Sequence, residues 1–519
     1  MPKSFYLCNK KQGALKKVFT LIFTAFLLLT SLYDAVSQNR TVVHIKHADY
    51  LYYDARLNPD IQRLIGNVIL RQDSVLFYCD SAYLNDKKHN FDAFGSVHIV
   101  VNDTVDVYAD KLHYEGDTRI AELFDNVRLV DKNTVLTTEH LIYNRNTEIA
   151  YYNDYGTIVS DSNTLNSKRG YYNTGTKIFY FKIDVVLKNP DQETYSDTLI
   201  YNSNTETAFF KGPTVIRGKE STIYCERGWY DTKNDFSKMT KRPSIWSSEQ
   251  SITADSIEYD NEKYYGKAFG NVIIHDTTHK VMVKGNRGEM WDKKGVSYVT
   301  DSALAITYEK NDNDTMYMHG DTLFMYFDKE RKAKKMLAYN RVKIYRKDMQ
   351  GVCDSLAYIM EDSTVRLYNN PVLWSGKNQL TADTIIIHVS NNNVDSIEML
   401  NNAFIVSKDS TDTFNQIKGK KMTGYFEGKK LKTIDVDGNA QSVYYVREDD
   451  GYLIGVNKEE ASYMEIVLND NKISKIKYIE QISEVMYPAK DVPAKVKRLE
   501  NFEWKEDLRP KNRLDVFKR

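Results

Sequence analysis

From residue 49 to residue 420 the chain returns repeatedly to one phrase, a small residue, then an acid, then an aliphatic residue and a tyrosine two positions apart, as in Ala109-Asp110-Lys111-Leu112-His113-Tyr114. Clear copies are anchored on Asp49, Asp80, Asp110, Glu139, Asp197, Glu226, Asp255, Asp321, Asp354 and Asp383, and weaker ones on Lys168, Asn286 and Lys420. The step between successive anchors is almost constant as far as Asp255 and looser after it. A fixed period of about 30 residues means stacked units, none of which buries its apolar face alone. A 519-residue chain built this way reads as one long array and not as a string of unrelated globules.

Within a unit the apolar residues alternate with period two, the signature of a half-buried strand. Val105, Val107 and Ala109 point one way; the phase slips by one residue at Asp110, and Leu112 and Tyr114 then take the same inward face. The slip recurs at Val75, Phe77, Cys79 then Ala82, Leu84, and at Ile252, Ala254 then Ile257, Tyr259. A one-residue slip inverts every side chain unless the backbone bulges or turns, so the acid marks a corner. A second landmark, Gly66-Asn67-Val68, Gly95-Ser96-Val97, Asp125-Asn126-Val127 or Gly270-Asn271-Val272, follows each acid about half a period later. Its left-handed-tolerant residues read as a tight turn that opens a new strand. Cys79, Cys225 and Cys353 all precede a corner acid, where other copies carry alanine, and so read as core thiols rather than disulfide partners.

The segment 1–37 differs. Lys10, Lys11, Lys16 and Lys17 precede an apolar run from Val18 to Leu32, and Ala35-Val36-Ser37 offers a small-residue cleavage site, the pattern of an export signal. The chain carries 71 basic and 71 acidic residues, and losing that segment leaves it near neutral, which argues against a nucleic-acid partner. No catalytic constellation stands out. His275 and His279 have helical metal-ligand spacing in a strand context, Asn311-Asp312-Asn313-Asp314 lacks the glycine and distal glutamate of a calcium loop, and no cofactor motif occurs. The expectation is a non-enzyme without cofactor or metal.

The alanine-acid-x-aliphatic-x-Tyr phrase, alternating with Gly-Asn-Val over roughly residues 41 to 445 and clearest from 48 to 275, resembles the organic-solvent-tolerance (OstA) family, which includes periplasmic LptA and the N-terminal domain of LptD. The resemblance implies an all-β fold, an elongated stack of antiparallel strands in two facing sheets (a β-jellyroll or taco). It also implies lipopolysaccharide or a similar lipid as ligand, other bridge proteins joined through terminal strands, an outer-membrane barrel as partner, and a periplasmic location, with outer-membrane association left open. The expected lipid-lining set is the inward row Val75, Phe77, Leu84, Val105, Val107, Leu112, Tyr114, Leu141, Tyr143, Leu199, Tyr201, Ile257 and Tyr259. The expected organisation is a signal peptide (1–37), OstA-like repeats (38–275), more divergent repeats (276–482) and a basic tail or cap (483–519), whose mixed charges after Pro488 suit a solvated helix. Terminal strands near Val42–Tyr53 and Glu465–Ile479 would pair with partners. Two other readings stand beside this one: an envelope scaffold with a sealed core, and a β-helix glycan enzyme, which would cluster carboxylates on one surface instead of at corners.

Overall fold

The computed structural model describes residues 42–519 except 54–55, 57–58, 102–104, 161, 220, 279, 309–314, 331, 391–392, 411, 429, 449, 470–471 and 519. The segment read as an export signal, His279 and the 311–314 turn lie outside the described residues. Every extended element is a β-strand paired antiparallel with its neighbours, and the described residues form no α-helix. The chain packs as two compact units, one running to Asp161 and one from Ser162 to Arg519.

Each long strand bends once, giving it two arms. In Val75–Asn85 the residues before Asp80, ending in Cys79, form what we call the Cys arm, and Ser81–Asn85 form the Tyr arm. Burial follows the slip read from the sequence: Val75, Phe77 and Cys79 are buried, Asp80 is exposed, and Ala82 and Leu84 are buried again. The same alternation repeats in Val105–Glu115. Both arms therefore turn their apolar sides toward one seam and their polar sides to water.

The Gly-Asn landmark is not a turn between strands, as the sequence reading expects, but lies inside one. The strand Ile61–Gln72 runs straight through Gly66 and Asn67, with Ile65 paired to Ser81 and Val68 to Cys79, so these two residues together face Asp80 alone. Both are left-handed, with φ of 79° and 47°. Equivalent pairs sit at Gly95-Ser96, Asp125-Asn126, Gly270-Asn271, Asn340-Arg341 and Asn401-Asn402. The acid of the preceding copy accepts a hydrogen bond from the second residue in all six: Asn67 to Asp49 at 3.0 Å, Ser96 to Asp80 at 3.0 Å, Asn126 to Asp110 at 2.7 Å, Asn271 to Asp255 at 3.0 Å, Arg341 to Asp321 at 2.6 Å and Asn402 to Asp383 at 3.1 Å. The two sequence landmarks are thus the two halves of one corner, a bulge that supplies the missing residue of register. Replacing Gly270 with alanine should lower stability by about 2 kcal/mol, because the residue is left-handed and the new Cβ would sit 2.2 Å from the Asp255 carboxylate; a fall in the urea midpoint at unchanged m-value checks it.

At the start of the first unit, His44–His47 and Tyr50–Tyr53 both pair with Ile61–Gln72. Tyr50, Leu51, Tyr52 and Tyr53 are all more than half exposed. In the second unit the last strands, Lys472–Ile479 and Ser483–Pro488, both pair with Leu453–Asn469. The segment after Pro488 is not a solvated helix. It runs as a strap of turns and two 3-10 turns along the outer face of the Cys arm in the second unit, held by glutamine side chains. Gln416 donates to Lys497 O at 2.9 Å and accepts from Leu499 N at 2.8 Å. Gln379 does the same with Glu503 O and Lys505 N, both at 2.7 Å, and Gln350 accepts from Arg509 Nε at 2.7 Å. The first two amides thereby satisfy strap backbone that would otherwise be buried unpaired. Beneath the strap, Phe404, Val406, Phe414, Tyr445 and Val456 pack against Val496 and Leu499. Mixed charge suggests a helix because the sequence carries no sign of these long-range amide bonds.

Candidate lipid-binding seam

In the first unit the expected lining residues Val75, Phe77, Leu84, Val105, Val107, Leu112, Tyr114, Leu141 and Tyr143 are all buried. Strand register brings Leu112, Leu123 and Leu141 into one row of the Tyr arm. The arms also touch across the seam: the Phe77 ring of the Cys arm lies 4.8 Å from Tyr114 and 5.2 Å from Phe91, both of the Tyr arm. At the arm tips a polar clasp closes the edge. Gln72, fully buried, accepts from the Tyr114 hydroxyl and from Arg145 Nη1 (2.9 Å) and donates to Gly116 O (3.2 Å). Asp73 beside it pairs with Arg119 at 3.2 Å and Arg145 at 3.5 Å. Burial raises the Tyr114 pKa and the Arg145 charge only partly offsets it, so the hydroxyl stays a donor at neutral pH.

In the second unit Leu199 and Ile257 are buried, while Tyr201 and Tyr259 are half-buried. Further along, one contiguous apolar cluster runs from Val299 to Ile466 and draws on both arms, among them Ala338, Val342, Leu356, Ile385, Ile405, Val436 and Met464. Ile274 joins it to a smaller cluster around Ala254, Ile257, Ala268 and Val272. Between about 245 and 340 the residues toward the arm tips are only half-buried: Ile252, Ile274, Val283 and Met316 on the Cys arm, Met290, Met325 and Met336 on the Tyr arm. Here the seam is closed at its base and open to solvent at its lips. The three methionines are absent from the sequence-derived set; the signal for them is the period-two placement that sets Met325 opposite Met336 and Met290 opposite Ser297. Unbranched, polarizable methionine accommodates variable apolar partners. Toward the C-terminal end the lining turns polar, with Ser442 Oγ donating to the buried Glu459 at 2.6 Å.

The three described cysteines are buried and free. Burial lifts the Cys79 and Cys353 thiols to about 12 and Cys225 to about 11, with Asp80 and Asp354 adding to the first two, so none is a nucleophile at neutral pH. Among the described residues no three ligands gather as a metal site, and His275 hydrogen-bonds Tyr308. Histidines on the outer face of the first unit instead meet carboxylates: His98 with Asp106 at 2.7 Å, His140 with Glu122 at 2.8 Å, His113 with Asp92 at 2.6 Å and Glu115 at 3.0 Å. Partial burial of the His113 ring lowers its pKa, but hydrogen bonds and charge from Asp92 and Glu115 outweigh this and the net shift is upward. A raised folded pKa means stabilisation fully present below the ordinary histidine value near 6.5 and lost as pH rises through the folded value. The urea midpoint should therefore fall between pH 6 and pH 8.5 by more in the wild type than in His113→Gln.

Residues 40–197 match the family described as OstA-like protein, and residues 310–393 match the LptA/(LptD N-terminal domain) LPS transport protein family. These two segments are OstA/LptA-like. Neither family is one of enzymes, and both matched segments fall on the cornered repeat. No curated protein matches. Among solved structures, LptH, the LptA-homologous periplasmic component of the lipopolysaccharide transport device of Pseudomonas aeruginosa, is 16% identical over 23% of this chain and 81% of its own, with a TM-score of 0.20.

Proposed function

We propose that this OstA/LptA-like chain is a periplasmic carrier that holds the acyl chains of lipopolysaccharide, or of a lipid built like it, in the seam between its two arms during outer-membrane assembly. The observation that carries this reading is the apolar lining of the second unit, which runs from Val299 through Val436 to Ile466 and turns polar at Ser442 and Glu459, is joined by Ile274 to the cluster around Ile257, and is half-open at the lips around Met290, Met325 and Met336. Burying acyl carbon gains roughly 0.8 kcal/mol per CH₂, so a chain of about a dozen carbons is held by close to ~10 kcal/mol. Rungs of near-equal apolarity let it slide without losing that sum at each step. The closed clasp of the first unit, Gln72 with Tyr114 and Arg145, must part for lipid to enter there. The exposed edge strand Tyr50–Tyr53 and the C-terminal strands Lys472–Ile479 and Ser483–Pro488 supply backbone for pairing with bridge partners and an outer-membrane barrel.

The test is photocrosslinking in cells from Met336, which faces the seam, and from its outward neighbour Leu337. Adducts with lipopolysaccharide from Met336 and none from Leu337 are expected. Equal labelling of the two, or none, would leave a sealed scaffold as the better reading.

A further inference from the structure

On the outer side of the same Tyr arm, where the second unit's seam is half-open, the strands present a belt of aromatic rings. Their register is in phase across four consecutive ladders: Tyr265 opposite Trp291, Trp291 opposite Val296, Val296 opposite Tyr326, and Tyr326 opposite Lys335. A second row beside it carries Lys267, Glu289, Tyr298 and Phe324. Rings follow one another at 5.1 Å (Tyr265 to Trp291), 5.8 Å (Trp291 to Tyr298) and 5.4 Å (Tyr298 to Phe324). Five strands at about 4.8 Å make the belt about 19 Å long.

Two further features separate it from an ordinary sheet face. It lies at the arm tip, directly on the turns that form the lip of the seam, so Tyr264, Lys293 and Lys294 stand on the rim itself. Lysines are laid over the rings: Lys293 over Tyr264 at 3.9 Å, Lys335 over Tyr326 at 4.7 Å, Lys267 over Tyr265 at 5.1 Å and Lys294 over Trp291 at 5.9 Å. Arg287, by contrast, is neutralised by Glu289, which also takes the Tyr265 hydroxyl. Rigid aromatic surface with ammonium groups at its margin suits a ligand with flat apolar CH faces, many hydroxyls and negative charge, which is an anionic saccharide. Single-stranded nucleic acid also stacks on rings, but it needs a continuous basic track, and here Glu258, paired with Lys238, and Glu289, paired with Arg287, interrupt the basic residues.

We infer that this lip, centred on Trp291, Tyr298 and Lys294, binds the phosphorylated saccharide of the lipid whose acyl chains lie in the seam. The inference rests on the seam reading for its source of sugar, and places headgroup and tail on opposite sides of one rim. It predicts that the acyl-free, phosphorylated core oligosaccharide released from lipopolysaccharide by mild acid binds the full chain by itself, in a salt-dependent way.

The experiment is a titration of that oligosaccharide, followed by calorimetry and tryptophan fluorescence, against wild type, Trp291→Ala and the triple variant Lys293→Gln, Lys294→Gln, Lys335→Gln, with loading of a fluorescent fatty-acyl probe measured in parallel. About tenfold weaker saccharide binding in both variants with acyl loading unchanged is expected. The triple variant alters only exposed or half-buried charge, so its fold survives if Trp291→Ala proves unstable. Undiminished binding by the triple variant, no binding by wild type, or tighter binding of poly(dT) than of the oligosaccharide would overturn the assignment. Saccharide binding without any acyl loading would sink the seam reading while leaving the lip as a glycan site.

Discussion

A chain ending at Pro488 is expected to lose the cooperative fold of the C-terminal part of the second unit. The strap that follows buries Val496, Leu499 and Val516 almost completely, and it is the cover for Phe404, Val406, Phe414, Val443, Tyr445 and Val456 on the outer side of the Cys arm. Phe414 alone meets Phe502 and Trp504 at ring distances of 5.3 Å. Removing the cover turns a core into a contiguous exposed apolar patch and leaves the buried amides of Gln350, Gln379 and Gln416 without their strap partners. The loss should be at least the roughly 3–5 kcal/mol that deleting one buried aromatic side chain costs. Calorimetry should show the second unit melting earlier, with dye binding to exposed apolar surface and self-association on size exclusion. Leu499→Ala is the gentler version, with a loss of about 2–4 kcal/mol and no change of oligomeric state. A truncated chain that melts and elutes as the full one does would mean the strap adds nothing to the fold.

The legibility of this molecule follows its regularity. Where the anchors keep an even step, period two and the slip at the acid locate the corner, the inward row and the core cysteines by residue number. The Gly-Asn pair reads as a turn because left-handed tolerance serves a hairpin and a bulge equally; only the pairing of Ile65 with Ser81 and Val68 with Cys79 distinguishes them, and that register is a long-range fact. The strap has no periodicity at all, since its order comes from glutamines such as Gln350 and Gln416, far away in sequence. Within the seam, the sequence-derived row falls mostly where the arms touch. The half-open stretch escapes it because the uneven steps around Asn286 and Asp321 blur the phase, and because methionine carries no strand signature.

Turning one of those methionines into an acid is where fold and function come apart. Met336 is half-buried on the inner side of the Tyr arm, directly paired with Met325, while Leu337 on the same strand points outward opposite Phe324. A carboxylate at 336 keeps contact with solvent through the open lip, so its cost to the empty protein stays modest, whereas a fully enclosed site such as Ile385 would impose the penalty of an unpaired buried charge on the fold itself. Acyl chain lying across the lip would remove that solvent, and the penalty then appears in binding instead. A cost of about 3 kcal/mol gives roughly a hundredfold weaker loading. Met336→Asp is therefore expected to load a fatty-acyl probe about a hundredfold less well than wild type, with little change in melting temperature, and Leu337→Asp to load it normally. Raising the carboxylate's proton occupancy at pH 4 should restore part of the loss, because the neutral acid can be covered by hydrocarbon at lower cost. If the seam carries acyl chains as proposed, a charge at the half-open stretch around Met336 would hinder their passage there even with every other contact in place.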